Sequence, residues 1–86
     1  HLYVVQLAED INRDKVFARL RGESIGANVH YAPVYWHSFY QKRGYRNGIA
    51  PIAEAVSRRI LTLPMFPAMT RADIGRVADA LARATA

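Results

Sequence analysis

The residues of this chain best equipped for chemistry lie between positions 30 and 45. His30, Tyr31, Tyr35, Trp36, His37, Phe39, Tyr40 and Tyr45 gather there, six of the nine aromatic residues and two of the three histidines. Imidazole and phenol groups donate and accept hydrogen bonds, and ring faces pack against flat or apolar surfaces. A folding core draws its aromatics from several elements. A cluster on one segment broken by Pro33, Gly44 and Asn47-Gly48 describes a binding surface held by a rigid scaffold. Each residue also has a plainer reading. His30 can be satisfied by backbone groups at a strand end, the tyrosines divide between packing and ligand contact, and Trp36 is most simply a packing or interface residue. If residues 25–31 form a strand, His30 and Tyr31 point to opposite faces and at most one of them reaches a ligand.

Other chemistries find no support. His30 and His37 stand seven apart with no Cys, Asp or Glu between them, which does not suit zinc. There is no Gly-rich phosphate loop, no Ser-His-Asp order and no paired carboxylates. Glu54 reads as a helix-surface acid and Asp73 as a cap residue. Lys15 and Lys42 both sit among exposed charges, so neither is the desolvated amine that Schiff-base chemistry requires.

Twelve basic against seven acidic residues leave a net charge of +5, with Arg dominating the basic set. That balance favours anionic partners without choosing one. The basic stretch Gln41-Lys42-Arg43-Gly44-Tyr45-Arg46 invites a nucleic-acid reading. The arginines, however, are spread over all the expected helices rather than drawn into a stripe, and no reading element accompanies them. The absence of cysteine excludes a disulfide scaffold and fits a reducing, cytoplasmic setting. No apolar run approaches the roughly 18 residues of a membrane span.

The elements that must position the aromatic segment follow from periodicity. Residues 2–7 are rich in β-formers and suit a buried strand. Asn12 caps a helix over 13–23 that buries Val16, Phe17 and Leu20. A second strand covers 25–31, and Pro33 stops it. One helical turn is expected around 38–43. Pro51 opens a helix over 51–59, and residues 60–63 form a third strand. Thr70, with Asp73 three residues on as an imperfect capping box, starts a helix that buries Ile74, Val77, Ala78 and Leu81. The order is β-α-β-α-β-α: an α/β (α+β) domain with a three- to four-stranded sheet and helices packed on one side. Because the chain opens directly on a strand, it reads as the tail of a longer protein cut at a domain boundary.

These motifs, in their joint order, resemble a known family. His1-Leu2-Tyr3-Val4-Val5, Arg13-Asp14-Lys15-Val16-Phe17, Ile25-Gly26, Val29-His30-Tyr31 with Pro33, Phe39-Tyr40, Gly44-Tyr45, Ala53-Glu54 and Leu63-Pro64-Met65-Phe66-Pro67 with Met69-Thr70 and Asp73 are similar to the C-terminal small domain of DegT-type sugar-nucleotide aminotransferases. The resemblance covers essentially the whole chain. It implies a fold type I enzyme that uses pyridoxal 5′-phosphate to aminate a keto-sugar on UDP or dTDP, with glutamate as the usual donor. The products would serve cell-surface polysaccharide or antibiotic-sugar synthesis, and the parent would be a homodimer. It also implies that residues 1–86 lack the large cofactor-binding domain and its lysine, so the segment cannot transaminate alone. No catalytic or cofactor-binding residue is then expected here. His30, Tyr31, Tyr40 and His37 are expected to face the nucleotide-sugar, with no nucleic acid or membrane as partner. Tyr35, His37 and Ser38 depart from the family pattern, which leaves the sugar open. Ser24 stands where relatives often have a helix-terminating Gly. Met65 and Phe66 read as a plug against the absent domain. The alternatives are a free-standing basic binding module and a non-catalytic relative.

Overall fold

The computed structural model describes residues 1–86. Strand β1 (Tyr3–Gln6) lies antiparallel to β2 (Ile60–Leu63), with Tyr3 opposite Leu63 and Val5 opposite Leu61. These four side chains share the sheet face that helices α1 (Arg13–Gly22) and α4 (Arg71–Thr85) cover. Between α1 and β2 run two shorter helices, α2 (Ser38–Gln41) and α3 (Pro51–Ser57), which frame the aromatic segment.

Local chemistry sets the helix ends. The Asn12 side chain accepts from the Lys15 N–H at 3.1 Å and starts α1. Pro51 occupies the first turn of α3, where its missing N–H costs nothing. The capping box of α4 forms both of its bonds: Asp73 N–H donates to Thr70 Oγ1 at 3.1 Å, and Thr70 N–H donates to Asp73 Oδ2 at 3.0 Å. At the other end of α1, Ser24 takes a left-handed conformation, φ 62°, in the position where a glycine would be unstrained.

Leu7, Val16, Leu20, Ile25, Ala27, Leu61 and Ala80 form the core where α1, α4 and the sheet meet. Arg13 fastens α1 to the turn between α3 and β2, its Nη1 donating to the Ser57 and Ile60 carbonyls at 2.9 and 3.1 Å. Arg59 does the same for β1, donating to the Leu7 carbonyl at 2.7 Å.

The mixed α/β order is as expected, but the sheet has two strands rather than three or four. The expected strand over 25–31 shrinks to a single bridge, Asn28 with Thr62. Its backbone donors are spent locally: Ile25 N–H closes on the Leu20 carbonyl at 2.9 Å, and Ala27 N–H on the Ile25 carbonyl at 2.8 Å. Asn28 exchanges both of its backbone bonds with Thr62, at 3.0 and 2.7 Å, and no other residue of 25–31 pairs with β2. Without a strand there, His30 and Tyr31 do not alternate. Their rings meet edge to face with centroids 4.6 Å apart.

An apolar groove of about 600 Å³ runs between α4 and the sheet edge, lined by Tyr3, Leu63, Met65, Ile74, Ala78 and Leu81 among others. Met65 and Phe66 beside it are about half exposed. No helix is long and apolar enough to cross a membrane.

Candidate functional site

The aromatic segment leaves the sheet at Asn28 and returns at α3. His30 is its first fixed point, with Nδ1 2.9 Å from Thr62 Oγ1 on the sheet face opposite α1 and α4. The hydroxyl holds the half-buried imidazole in place while Tyr31 projects into solvent, 69% exposed. Pro33 then begins a 3₁₀ turn, Val34–Trp36, that delivers the chain to α2. His37 precedes α2 and accepts the Tyr40 and Gln41 N–H groups on its carbonyl at 3.0 and 3.1 Å, which leaves its imidazole exposed.

Beyond His37 the rings form a row. Phe39 meets Tyr40 edge to face at 5.1 Å, Tyr40 meets Tyr45 in the same way at 5.5 Å, and the Arg43 guanidinium lies 4.4 Å from the Phe39 ring centre. Edge-to-face pairs and cation–π contacts of this kind order a loop with little apolar burial. The four expected site residues therefore fall into two pairs. His30 and Tyr31 meet at the sheet end, while His37 just before α2 and Tyr40 within it share a backbone hydrogen bond, with no ring contact or hydrogen bond between the two pairs.

The residue that organises the segment is Glu54, and here the sequence expectation needs correcting. It is not a helix-surface acid but is buried, 4% exposed. Its Oε2 accepts from the Tyr35 hydroxyl in a short hydrogen bond and from the Gly48 N–H at 2.6 Å, while Oε1 faces Arg58 at 3.8 Å. The Tyr35 hydroxyl, opposed by burial and aided by the Gly48 N–H, holds the Glu54 carboxyl below its usual range. Burial first, and then the hydrogen bond to Glu54, push the Tyr35 phenol up. One signal in the sequence pointed here: Glu54 is the lone charged residue between Arg46 and Arg58, in an otherwise apolar and small-residue stretch. Gln41 adds a second tie, donating to the Tyr35 carbonyl at 2.6 Å.

The basic residues are largely committed within the fold. Arg13 and Arg59 hold carbonyls, Arg76 and Arg83 bind Glu23, Arg21 reaches Asn28 and stacks on Phe17, and Arg58 serves Glu54 and the Trp36 ring. A continuous free basic stripe of the kind that follows a nucleic-acid backbone is not what this arrangement presents.

Comparison with known proteins gives these features their setting. The model of the DegT/DnrJ/EryC1/StrS aminotransferase family matches residues 1–82. The chain belongs to this family. An uncharacterised protein of Methanocaldococcus jannaschii is 40% identical over 85 residues, and the spore coat polysaccharide biosynthesis protein SpsC of Bacillus subtilis is 37% identical over 86. Each alignment takes in 94% of this chain and 22% of the relative. Among solved structures, DesV of S. venezuelae in complex with a ketimine intermediate superposes with a TM-score of 0.82 at 31% identity, over 96% of this chain and 22% of that one. The chain thus spans about a fifth of the length of the relatives it matches.

Proposed function

We propose that these residues are the C-terminal small domain of an aminotransferase that moves an amino group, from glutamate as donor, to a keto-sugar carried on UDP or dTDP. The observation that carries this reading is the family match over residues 1–82 within proteins more than four times as long. The name of the Bacillus subtilis relative supports a polysaccharide-building role, and an intracellular homodimer is the assembly expected.

In this reading the segment from His30 to Tyr45 is the wall that the domain presents to the acceptor. His30, with Nδ1 engaged by Thr62, has Nε2 left to meet a hydroxyl or phosphoryl oxygen. Tyr31 and His37, both exposed, offer a phenol and an imidazole to the same kinds of atom, and Tyr40 is steadied for such a contact between Phe39 and Tyr45. Their work is to bind and orient. The apolar groove by α4, with Met65 and Phe66 at its margin, is the face that meets the rest of the protein.

Pyridoxal phosphate supplies the electron sink for amino transfer in enzymes of this family. The residues present here do not fit a site for it. Lys15 on α1 and Lys42 after α2 are both exposed, and neither lies in a cavity that would desolvate an amine. The domain accordingly contributes to acceptor binding and not to holding the cofactor.

The test is amino transfer by the whole protein from glutamate to UDP- and dTDP-linked keto-sugars, with His37→Ala and Tyr40→Ala compared against wild type. The reading expects turnover by the wild-type protein and a raised sugar KM in both variants, with the glutamate KM unmoved. Absence of transfer to any nucleotide-linked keto-sugar would refute it.

A further inference from the structure

Tyr35 and Gly48 lie thirteen positions apart in the chain, yet both donate to one oxygen of Glu54. That carboxylate therefore closes the neck of a loop. Its other oxygen faces Arg58, whose guanidinium in turn lies 5.5 Å from the Trp36 ring centre, so Trp36 is drawn to the same point. Everything between Trp36 and Gly48 stands beyond the neck, including His37, Phe39, Tyr40 and Tyr45. Gly48 suits the closing position because its φ of +94° is one that residues with a Cβ rarely adopt. Gly48 is exposed, as are most residues of the loop, so little apolar burial holds this stretch in shape. A loop with few buried contacts keeps one conformation only where its ends are tied.

We propose that Glu54 is a positioning residue for acceptor binding: by clasping Tyr35 and Gly48 it fixes the ring-bearing loop against the sugar-nucleotide without touching it. This rests on the reading that the loop faces the acceptor, and it adds which residue sets the loop's geometry. Glu54 ionises more readily than a free glutamate, chiefly because of the Tyr35 hydroxyl, in keeping with a clasp that works as a carboxylate. Charged acceptors make hydrogen bonds about twice as strong as neutral ones, so Gln, which keeps the shape but not the charge, should loosen the neck.

The experiment uses the whole protein and separates the two half-reactions. Single-turnover reaction with glutamate reports the donor half, and steady-state kinetics with a nucleotide-linked keto-sugar reports the acceptor half. Glu54→Gln and Tyr35→Phe are each expected to raise the sugar KM by about tenfold, the effect of losing one hydrogen bond to a charged group. Both should leave the glutamate half-reaction at its wild-type rate. The double variant should cost no more than the worse single, since both changes open one clasp. A general loss of folding would instead lower both half-reactions together, and Tyr35→Phe, which removes only a hydroxyl, keeps the test usable if Glu54→Gln folds poorly. If Tyr40→Ala raises the sugar KM while Tyr35→Phe and Glu54→Gln do not, the clasp is refuted and the acceptor-facing loop stands. If none of the three moves it, the reading of the loop falls, and the clasp with it.

Discussion

Replacing Ser24 with glycine should make the chain more stable, and the structure says by how much. Ser24 ends α1 in a Schellman arrangement. Its own N–H donates to the Arg21 carbonyl at 3.0 Å, and the next N–H, of Ile25, donates to the Leu20 carbonyl at 2.9 Å. Leu20 and Ile25, 0% and 3% exposed, make the apolar contact that accompanies this motif, so the core fixes the turn whether or not the residue inside it is comfortable. Holding a residue with a Cβ in the left-handed region costs about 1–2 kcal/mol. Glycine removes that strain but loosens the unfolded chain, which gives back roughly 0.4–1 kcal/mol. The net gain is about 0.5–1 kcal/mol, which for a domain of this size raises Tm by about 2–8 °C. Thermal unfolding of the 86-residue chain followed by circular dichroism measures it. Ser24→Ala is the necessary comparison, because alanine keeps the Cβ and the strain and should leave Tm where it was. A Ser24→Gly variant at or below wild type, or an alanine variant that matches the glycine one, would refute the reasoning.

Other substitutions probe the supports of the fold and the loop. Thr70→Ala removes the oxygen that accepts the Asp73 N–H and should cost about 1 kcal/mol by urea unfolding, with Thr70→Ser restoring most of it. Leu20→Ala, at the centre of the core, should cost about 2–5 kcal/mol, enough to leave a chain this small largely unfolded at 37 °C. Stability should also fall at both pH extremes for one shared reason. Glu54 and Asp73 ionise more readily when folded, so what they contribute is present above their ordinary values of 4.5 and 3.8 and is lost as pH drops through the lowered ones. Tyr35 is shifted upward, so its contribution is present below 10.0 and is lost as pH rises through the raised value. Urea midpoints against pH should show Tyr35→Phe flattening the alkaline limb and Glu54→Gln flattening both. An alkaline limb unchanged in Tyr35→Phe would show that the Tyr35–Glu54 bond is not what shapes it.

The parts of the fold that were legible in the sequence are those decided within a few residues. Asn12, Pro51 and Thr70 each begin a helix for reasons carried by the neighbouring positions, and the spacing of Val16 with Leu20 places the buried face of α1. On α4 the expected face holds at Val77 and Leu81, whereas Ile74 and Ala78 are exposed along the groove and Ala80, outside the expected set, is the buried residue. The crowding of rings around Pro33 identified the loop for the same reason. The third strand shrank to one bridge because Ile25 and Ala27 close local turns that curl the chain away from an extended course, and no hydropathy pattern reveals such turns. Glu54 reads as a helix-surface acid in the sequence because its actual role depends on partners 19 and 6 residues upstream, brought to it by the turn of the loop. A lone acid in an apolar stretch was the visible trace of that burial.

Hydrogen–deuterium exchange of the whole protein, with and without a saturating nucleotide-linked sugar, puts the central claim to the most direct test. The account expects new protection across residues 30–45, strongest at the amides around His37 and Tyr40, while the amides of α1 are unchanged. Protection confined to other parts of the protein, with residues 30–45 exchanging as fast as before, would contradict it.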